Sequence, residues 1–356
     1  MSILEYFPCE AIENECDMLH VEDIKRIYGN IMDEYSKSIF ENRFMYSLTG
    51  DYEYIRKIVL NTKTGKRLNE LLSGEMYIYG AGRRGKSLVE IFVDKDWRGF
   101  IDASKEGEYE GYPVCKFCNF EYKEGTTIII SNKIGYDVIR EDLISNKKCP
   151  ENKIIVLQNF YEQIIQSIYL ETEYLKDVSM HNKIFMDLGC YDGKDAIRAI
   201  KYFDREDIKV CALEPDNENY EVCVDNLQQF PQITLVNCGI GGKKEVKRFA
   251  EGGVGARFSE SGNVEVKIDT IDNLAGKSEV GLIKMDIEGY EEEALIGGTE
   301  TIRRCKPVLA ICVYHKRSDI WRLPRRILDI NPDYRFYLGH YTLEWGDTVL
   351  YAIAKN

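Results

Sequence analysis

The chain contains 356 residues, and at roughly 150 residues per domain it is long enough for two or three domains. Its composition, 44% hydrophobic and 30% charged, lies in the range of ordinary globular proteins and excludes collagen-like, low-complexity and wholly disordered chains. The 60 acidic residues outnumber the 47 basic ones and give a net charge of −13, which disfavours nucleic acid as a partner.

The amino-terminal sequence MSILEYFPCEAIENECDMLH carries acidic residues where a signal peptide needs basic ones. No apolar run approaches the roughly 18 residues of a spanning helix, so we expect a cytoplasmic protein with no membrane span. The 11 cysteines are scattered, with one CxxC pair at Cys115 and Cys118 and no second pair to complete a zinc site. Reduced structural thiols are therefore expected.

The hydrophobic pattern predicts an α/β protein with four parts in chain order. Apolar residues recur at helical spacing through residues 1–73, which predicts a helical amino-terminal segment. Residues 74–158 combine short strands, helices and a glycine-rich turn, as in a Rossmann-like domain. Residues 159–182 lack glycine and proline and are interpreted as a connecting helix. Residues 183–356 alternate strands and helices, which predicts a largely parallel sheet covered on both faces and closed by a terminal antiparallel hairpin.

A glycine pattern in the first α/β domain is typical of dinucleotide binding. Gly80, Gly82 and Gly85 follow a predicted strand and open a helix, and Asp102 lies 20 residues beyond Gly82. The run resembles the small nucleotide- or nucleotide-sugar-binding units found at the front of polysaccharide-modifying enzymes. If the domain binds such a ligand, the glycines would face a diphosphate and Asp102 a ribose. The alternative is a domain that binds nothing and only packs.

The first two strands of the second sheet predict a nucleoside site, because ligands of open α/β sheets lie at the carboxyl ends of the strands. Glu214 ends the second strand, 21 residues beyond Gly193, which is the spacing of an acid that accepts hydrogen bonds from ribose hydroxyls. Glycines before the following helix let the backbone approach a ligand and leave amides free. The first strand delivers Asp187, Gly189, Tyr191, Asp192 and Gly193 to this edge.

The later strands of the second sheet supply candidate catalytic residues. Asp286 and Glu288 follow the fourth strand, and their alternation predicts that they face one side, where they would contact substrate or cofactor or bind a divalent ion. His315 ends the next strand and is a candidate general base for a hydroxyl. Lys284 could pair with Asp286 or with an anionic substrate group. His340 and Tyr341, near the terminal hairpin, could line an acceptor pocket.

The motifs of the second sheet resemble those of the FkbM family of S-adenosylmethionine-dependent methyltransferases. The resemblance covers about residues 180–356 and implies a class I methyltransferase fold and S-adenosylmethionine as cofactor. It also implies O-methylation of a sugar or another small hydroxylated acceptor in surface polysaccharide or glycan biosynthesis. The segments that carry it are, in order, DLGCYDG, ALEPDNENY, LVNCGIGG, VEVKIDTID, IKMDIEGYEEEAL, KPVLAICVYHK and VLYAIAK.

Under this resemblance the strand-end residues take specific roles toward the cofactor. Asp187 and the loop 189–193 would hold the methionine end, Glu214 the ribose, and Asp216 or Asn217 the adenine side. A nucleotide-linked sugar would suit a protein with both α/β domains.

Two other functions stay open at this stage. One is a nicotinamide-dependent nucleotide-sugar enzyme operated by residues 74–158, and the other is a non-catalytic nucleotide-sugar-binding module. The sequence does not fix the acceptor, the need for a metal, or the oligomeric state.

Overall fold

The structure is a computed structural model that describes residues 20–170, 172–176, 178–203, 208–250, 257–258, 262 and 264–355. It divides into two compact units. The larger unit comprises the described parts of Met1–Thr49, Ser167–Gly339 and Asp347–Asn356, and the smaller comprises Gly50–Gln166 and His340–Gly346. Within the described residues, no helix combines the length and the apolar character needed to cross a membrane.

The amino-terminal segment is helical in its described part, as predicted, but it is not one unit. Its helices are α1 (Val21–Gly29), α2 (Glu34–Thr49), α3 (Glu53–Asn61) and α4 (Lys63–Leu71). Helices α1 and α2 belong to the larger unit, whereas α3 and α4 belong to the smaller one. The division follows from packing, because Phe44 of α2 meets Trp321 edge to face with ring centroids 5.6 Å apart, and Ile31 forms a parallel bridge with Phe336.

The smaller unit is built on a six-stranded sheet in the order β3-β4-β2-β1-β5-β6. All neighbouring strands are parallel except β3, which is antiparallel to β4. Strand β5 is buried along its whole length, as expected for a parallel strand covered on both faces. Its elements are β1 (Met76–Tyr79), α5 (Arg83–Ile91), β2 (Trp97–Asp102), β3 (Gly107–Tyr109), β4 (Tyr112–Lys116), β5 (Thr127–Ile130), α6 (Tyr136–Ser145) and β6 (Ile154–Val156).

The segment predicted as a single connecting helix, 159–182, is divided. Helix α7 (Gln158–Ser167) ends before Tyr169, which has the left-handed φ of 64°, and a short α8 (Thr172–Leu175) follows. A non-glycine residue at positive φ breaks helix continuity. The chain beyond this break packs into the core of the larger unit through Leu170, Leu175 and Met180.

The larger unit contains a seven-stranded sheet in the order β16-β17-β15-β14-β7-β8-β9. Strands β9, β8, β7, β14 and β15 are mutually parallel, and β17 is antiparallel to β15. The expected class I methyltransferase sheet is thereby confirmed. Its elements are β7 (Ile184–Leu188), α9 (Lys194–Phe203), β8 (Lys209–Leu213), α10 (Asn217–Leu227), β9 (Ile233–Val236), β14 (Val280–Met285), α12 (Glu291–Gly297), α13 (Thr299–Cys305), β15 (Val308–Cys312), α14 (Asp319–Ile330), β16 (Tyr334–His340) and β17 (Thr348–Ala354).

A separate four-stranded sheet lies between β9 and β14 in the chain, in the order β10-β13-β11-β12. The two longer strands, β11 and β13, are antiparallel, and β10 is parallel to β13. The segment comprises β10 (Gly239–Ile240), β11 (Glu245–Ala250), β12 (Arg257–Phe258), β13 (Val264–Asp269) and α11 (Ile271–Ala275).

Candidate functional site

The loop after β7 has the backbone conformation that its glycines predict. Gly189, Tyr191 and Gly193 all have positive φ, at 78°, 54° and 75°. A Cβ atom at Gly189 would lie 2.0 Å from the carbonyl oxygen of Asp286, so only glycine fits there. The loop is therefore pressed directly against the chain that leaves β14.

Lys284 and Asp187 form a buried ion pair beneath this loop. Lys284 is 2% exposed and Asp187 is fully buried. The Lys284 Nζ atom lies 3.1 Å from Asp187 Oδ1 and 3.5 Å from Asp195 Oδ2, and it donates a hydrogen bond of 2.6 Å to the carbonyl oxygen of Gly189. Burial opposes the charge on Lys284, but Asp187 and Asp286 hold its pKa above the ordinary value.

This arrangement corrects two predicted roles. Lys284 pairs with Asp187 and not with Asp286, and its ammonium is not available to an anionic substrate group. Asp187 supports the loop from below, because its carboxylate is buried against Lys284. A direct contact between Asp187 and the methionine end of the cofactor is therefore not supported.

Glu214 lies at the end of β8, where the ribose acid was predicted. It is 5% exposed, and its two oxygens each accept one backbone N–H at 2.9 Å, Oε2 from Tyr191 and Oε1 from Asp216. Each carboxylate oxygen can accept a further hydrogen bond, so two ribose hydroxyls fit this acid. Burial raises the pKa of Glu214 to about 7, although the two backbone hydrogen bonds oppose the shift.

The other residues predicted for the cofactor have different places. Asp216 is fully buried, and its Oδ1 atom caps α10 by accepting the Asn219 N–H at 3.0 Å, so the predicted contact with adenine stays a prediction. Asn217 is exposed, and its Oδ1 atom accepts a hydrogen bond from Asn237 at 3.3 Å. Asp192 accepts the Lys194 N–H at 3.1 Å at the start of α9.

Asp286, Glu288 and His315 are brought together, as predicted. His315 Nε2 lies 3.2 Å from Asp286 Oδ1 and 3.9 Å from Glu288 Oε2. The two acids do not meet through strand alternation, because β14 ends at Met285 and Glu288 has a φ of 54°. The side chains of His315, Asp286 and Glu288 are 8%, 26% and 42% exposed, so exposure increases from the histidine to the outer acid.

Glu291 completes this cluster and was not singled out from the sequence. Its Oε1 atom lies 2.9 Å from His315 Nδ1 and accepts the Ile287 N–H at 3.0 Å. The residue is fully buried at the start of α12, so it holds both the histidine ring and the turn that carries Glu288. Three consecutive glutamates, 291–293, open this helix, and the sequence does not mark which of them points inward.

The electrostatics of the cluster bear on the predicted role of His315. Burial alone would lower the pKa of His315, but Glu291 and Asp286 together raise it well above its ordinary value. Burial alone would raise the pKa of Asp286, but His315, Lys284 and Tyr169 hold it well below the usual range. The two opposite shifts mean that the charged forms of His315 and Asp286 stabilise each other. A raised pKa disfavours the neutral imidazole that a general base needs, and the role of His315 as a base stays a prediction.

Two tyrosines that the sequence analysis missed donate hydrogen bonds to Asp286. The hydroxyl of Tyr169 donates to Oδ2 at 2.7 Å, and the hydroxyl of Tyr314 donates to Oδ1 at 3.3 Å. Tyr314 directly precedes His315, but Tyr169 is 117 positions from its partner in a segment interpreted as a linker. No local pattern marks a contact of that range.

A polar cavity of about 690 Å³ opens beside Glu288 and was also not predicted. Lys243 and Lys247 share one acid in it, with Nζ atoms 3.4 and 3.1 Å from Glu245. His340 and Tyr341 are buried and are not among its lining residues. The lining comprises Gly242, Lys243, Glu245, Lys247, Glu288, Gly289, Tyr290, Glu293, Ile296 and Lys316.

The glycine motif of the smaller unit shapes a strand–helix turn. Gly80 has a φ of 108°, Gly82 precedes α5, and a Cβ at Gly85 would lie 2.4 Å from the carbonyl oxygen of Gly80. Asp102 accepts three backbone N–H groups, from Ala81 at 3.1 Å and from Ser104 and Lys105 at 3.0 Å.

Although Asp102 is partly buried, the hydrogen bonds from the backbone of Ala81, Ser104 and Lys105 lower the pKa of its carboxyl group. A carboxylate engaged by three amides is a structural part of the turn, so the predicted ribose contact is not supported.

Among the described residues there is no group of three or more histidine, cysteine, aspartate or glutamate side chains arranged to hold a metal ion. The nine cysteines in this part of the chain are free thiols.

Comparison with known proteins finds similarity to methyltransferases. Residues 187–338 match the family model described as the methyltransferase FkbM domain. The 2-O-methyltransferase NoeI of Sinorhizobium fredii (strain NBRC 101917 / NGR234) is 25% identical over 221 residues, which are 52% of this chain and 88% of that protein. The crystal structure of methyltransferase FkbM from Methylobacillus flagellatus KT aligns with a TM-score of 0.47 and 18% identity over 90% of this chain and 99% of that chain.

The sheet order, the strand-end acid and the family match together define the class of enzyme, an S-adenosylmethionine-dependent methyltransferase. The match to the FkbM methyltransferase domain covers residues 187–338, within the part of the chain where the sequence motifs predicted this resemblance.

Proposed function

We propose that this enzyme transfers a methyl group from S-adenosylmethionine to a hydroxyl of a sugar or another small hydroxylated acceptor. The observation that carries the proposal is the contact between the two halves of the site. The Gly189 loop, which leads to Glu214, is packed against the backbone of Asp286, which leads to His315 and Glu288. A cofactor group and an acceptor group held at these two places would be neighbours at one edge of the sheet.

The cofactor supplies an electrophilic methyl group on a sulfonium. On the side of the protein, Glu214 binds the ribose hydroxyls, and the amides of the loop 189–193 border the rest of the molecule. The residues fit such a ligand because Glu214 keeps acceptor capacity on both oxygens and Tyr191 is exposed beside it.

On the acceptor side, the Asp286–His315 pair orients the hydroxyl and takes up its proton as the methyl group passes from the sulfonium sulfur to the hydroxyl oxygen. His315 lies 3.2 Å from Asp286, and the opposite shifts of their pKa values mean that each stabilises the charge of the other. The cavity beside Glu288 receives the rest of the acceptor. Its mixture of lysine, glutamate and tyrosine side chains suits a ligand rich in hydroxyl groups.

The finer details of the acceptor belong to the same proposal. The NoeI relative is a 2-O-methyltransferase, which supports oxygen as the methylated atom. We extend the proposal to a nucleotide-linked sugar as the acceptor, a role in surface polysaccharide or glycan biosynthesis, and a cytoplasmic location.

The first test is calorimetric titration of the protein with S-adenosylhomocysteine. Glu214→Gln should weaken binding at least tenfold, whereas Glu218→Gln, an exposed acid in the first turn of α10, should leave binding unchanged. Circular dichroism would verify that both variants are folded. Wild-type protein that does not bind S-adenosylhomocysteine would overturn the proposal.

The second test is methyl transfer from isotope-labelled S-adenosylmethionine to nucleotide sugars and glycans, with NMR of the product to locate the methyl group. Labelling at oxygen is expected. Labelling only at nitrogen or carbon would refute the O-methyltransferase assignment while leaving the enzyme class intact.

A further inference from the structure

Tyr169 lies between the two halves of the site although it belongs to neither predicted motif. It follows α7 with a φ of 64° and is 5% exposed. Its side chain reaches the carboxyl ends of β14 and β15, where its hydroxyl lies 3.4 Å from Cys312 Sγ and 2.7 Å from Asp286 Oδ2.

The hydroxyl of Tyr169 engages the oxygen of Asp286 that His315 leaves free. His315 Nε2 and the Tyr314 hydroxyl approach Oδ1, at 3.2 and 3.3 Å, whereas Tyr169 donates to Oδ2. Partners on both oxygens fix the rotation of a carboxylate, and the shortest of the three contacts is that of Tyr169.

The ring of Tyr169 contacts the other half of the site. The Lys284 Nζ atom lies 5.0 Å from the ring centroid, a distance at which an ammonium is attracted to an aromatic face. The same Nζ atom binds Asp187 and the carbonyl oxygen of Gly189. One side chain thus contacts both the cation that supports the cofactor loop and the acid that faces the acceptor.

We propose that Tyr169 is a positioning residue for methyl transfer, with its hydroxyl fixing Asp286 and its ring covering Lys284 beneath the Gly189 loop. This inference rests on the proposed function for its catalytic consequence, but the two contacts can be tested without an acceptor. A residue that only fills space would use its ring and not its hydroxyl.

The experiment compares Tyr169→Phe with Tyr334→Phe. Tyr334 is a matched control, because it is a fully buried tyrosine of the same unit whose hydroxyl makes a bond of equal length, 2.7 Å, to the carbonyl oxygen of Pro307. The readout is the imidazole NMR signal of His315, which can be identified among the four histidines of the chain by the His315→Gln variant. Tyr169→Phe should shift this signal and leave the other three in place, whereas Tyr334→Phe should shift none.

Measurements of cofactor affinity distinguish the role of the Tyr169 ring from the role of its hydroxyl. Tyr169→Phe keeps the ring and should change S-adenosylhomocysteine affinity less than about twofold, while Tyr169→Leu, which uncovers Lys284, should lower affinity about tenfold, the effect expected for one cation–π contact. Should Tyr169→Phe fail to fold, 3-fluorotyrosine placed at position 169 is a stronger hydroxyl donor of nearly the same size. It should shift the His315 signal in a native fold.

An unchanged His315 signal in folded Tyr169→Phe, or in the fluorotyrosine protein, would overturn the positioning role. Equal affinity in Tyr169→Leu and wild type would overturn the role of the ring. Absence of S-adenosylhomocysteine binding in wild type would instead refute the proposed function, and the His315 signal would still decide whether Tyr169 orders Asp286.

Discussion

The Nδ1 atom of His315 lies 2.9 Å from the Oε1 atom of Glu291, and both side chains are buried. With Asp286 on the opposite ring nitrogen, the histidine is held between two carboxylates. A third acid, Asp319, is buried nearby, where burial and the charge of Glu291 raise its pKa to about 7. The carboxylates around His315 therefore stabilise its charged imidazolium form.

The stability of the protein should depend on pH through His315. Because the folded-state pKa is raised above the ordinary value, the contribution of the imidazolium is fully present below about pH 6.5 and is lost as pH rises through the folded pKa. His315→Gln should lower the free energy of unfolding by about 3 kcal/mol at pH 6, since it leaves buried carboxylates without their cation. The loss should be smaller at pH 10.

Urea unfolding at both pH values measures this difference, with His181→Gln as an exposed control. An equal loss at pH 6 and pH 10 would show that His315 acts only by packing.

Asp286→Asn should reduce turnover by about 10²- to 10⁴-fold, the usual range for loss of an acid–base group, because the amide lacks the charge that pairs with His315 and orients the hydroxyl. Affinity for S-adenosylhomocysteine should change little, since Asp286 lies on the acceptor side. Glu288→Gln is the matched comparison, and a smaller loss is expected because Glu288 is more exposed and lies 3.9 Å from His315. Single-turnover rates measure both, and a larger loss in Glu288→Gln would show that Glu288, and not Asp286, is the main acid on the acceptor side.

Cofactor affinity should rise with pH near neutrality. Ribose hydroxyls donate to the ionised form of Glu214, whose pKa is about 7 because of burial, with Asp216 adding to the shift. The dissociation constant for S-adenosylhomocysteine should therefore be about tenfold higher at pH 6 than at pH 8, in proportion to the carboxylate fraction. Calorimetry at the two pH values gives the ratio, and the Glu214→Gln variant should lose this dependence.

Gly189→Ala should disrupt the cofactor loop. The substitution places Cβ 2.0 Å from the carbonyl oxygen of Asp286, so the backbone must move. Gly74→Ala is the control, because Gly74 has a similar φ of 74° but nothing within 4 Å of the added atom. Thermal unfolding should show a loss of about 1 kcal/mol for Gly74→Ala, from the positive φ alone, and a distinctly larger loss for Gly189→Ala. Similar losses would mean that the loop relaxes freely.

The sequence predicts the sheet and the positions of its strand ends, because the alternation of strands and helices and the spacing of glycines are local properties of the chain. Glu214, Asp286 and His315 are placed where those patterns predict. Burial and pairing are not local. From the sequence alone, Lys284 is expected to be available to a substrate. In the structure it is 2% exposed and pairs with Asp187.

Two other features could not be predicted, one because its residues are far apart in the sequence and one because spacing does not reveal hydrogen bonds. Tyr169 contacts an acid 117 positions away, and no spacing rule connects the two. Asp102 has the spacing of a ribose acid, yet three amides of its own turn engage it. The same motif can thus bind a ligand or close a loop, and only the hydrogen bonds distinguish the two.

The packing of α1 and α2 against the last third of the chain sets an order of events during synthesis. Asp23 pairs with Arg325, and the Ser36 hydroxyl accepts the Leu338 N–H, each across 302 positions. At about 5–20 residues per second, the first helices leave the ribosome roughly 15–60 s before their partners exist. A truncation that begins at residue 183 would remove these helices together with Tyr169, and it would leave the apolar side of α14 around Trp321 exposed to solvent.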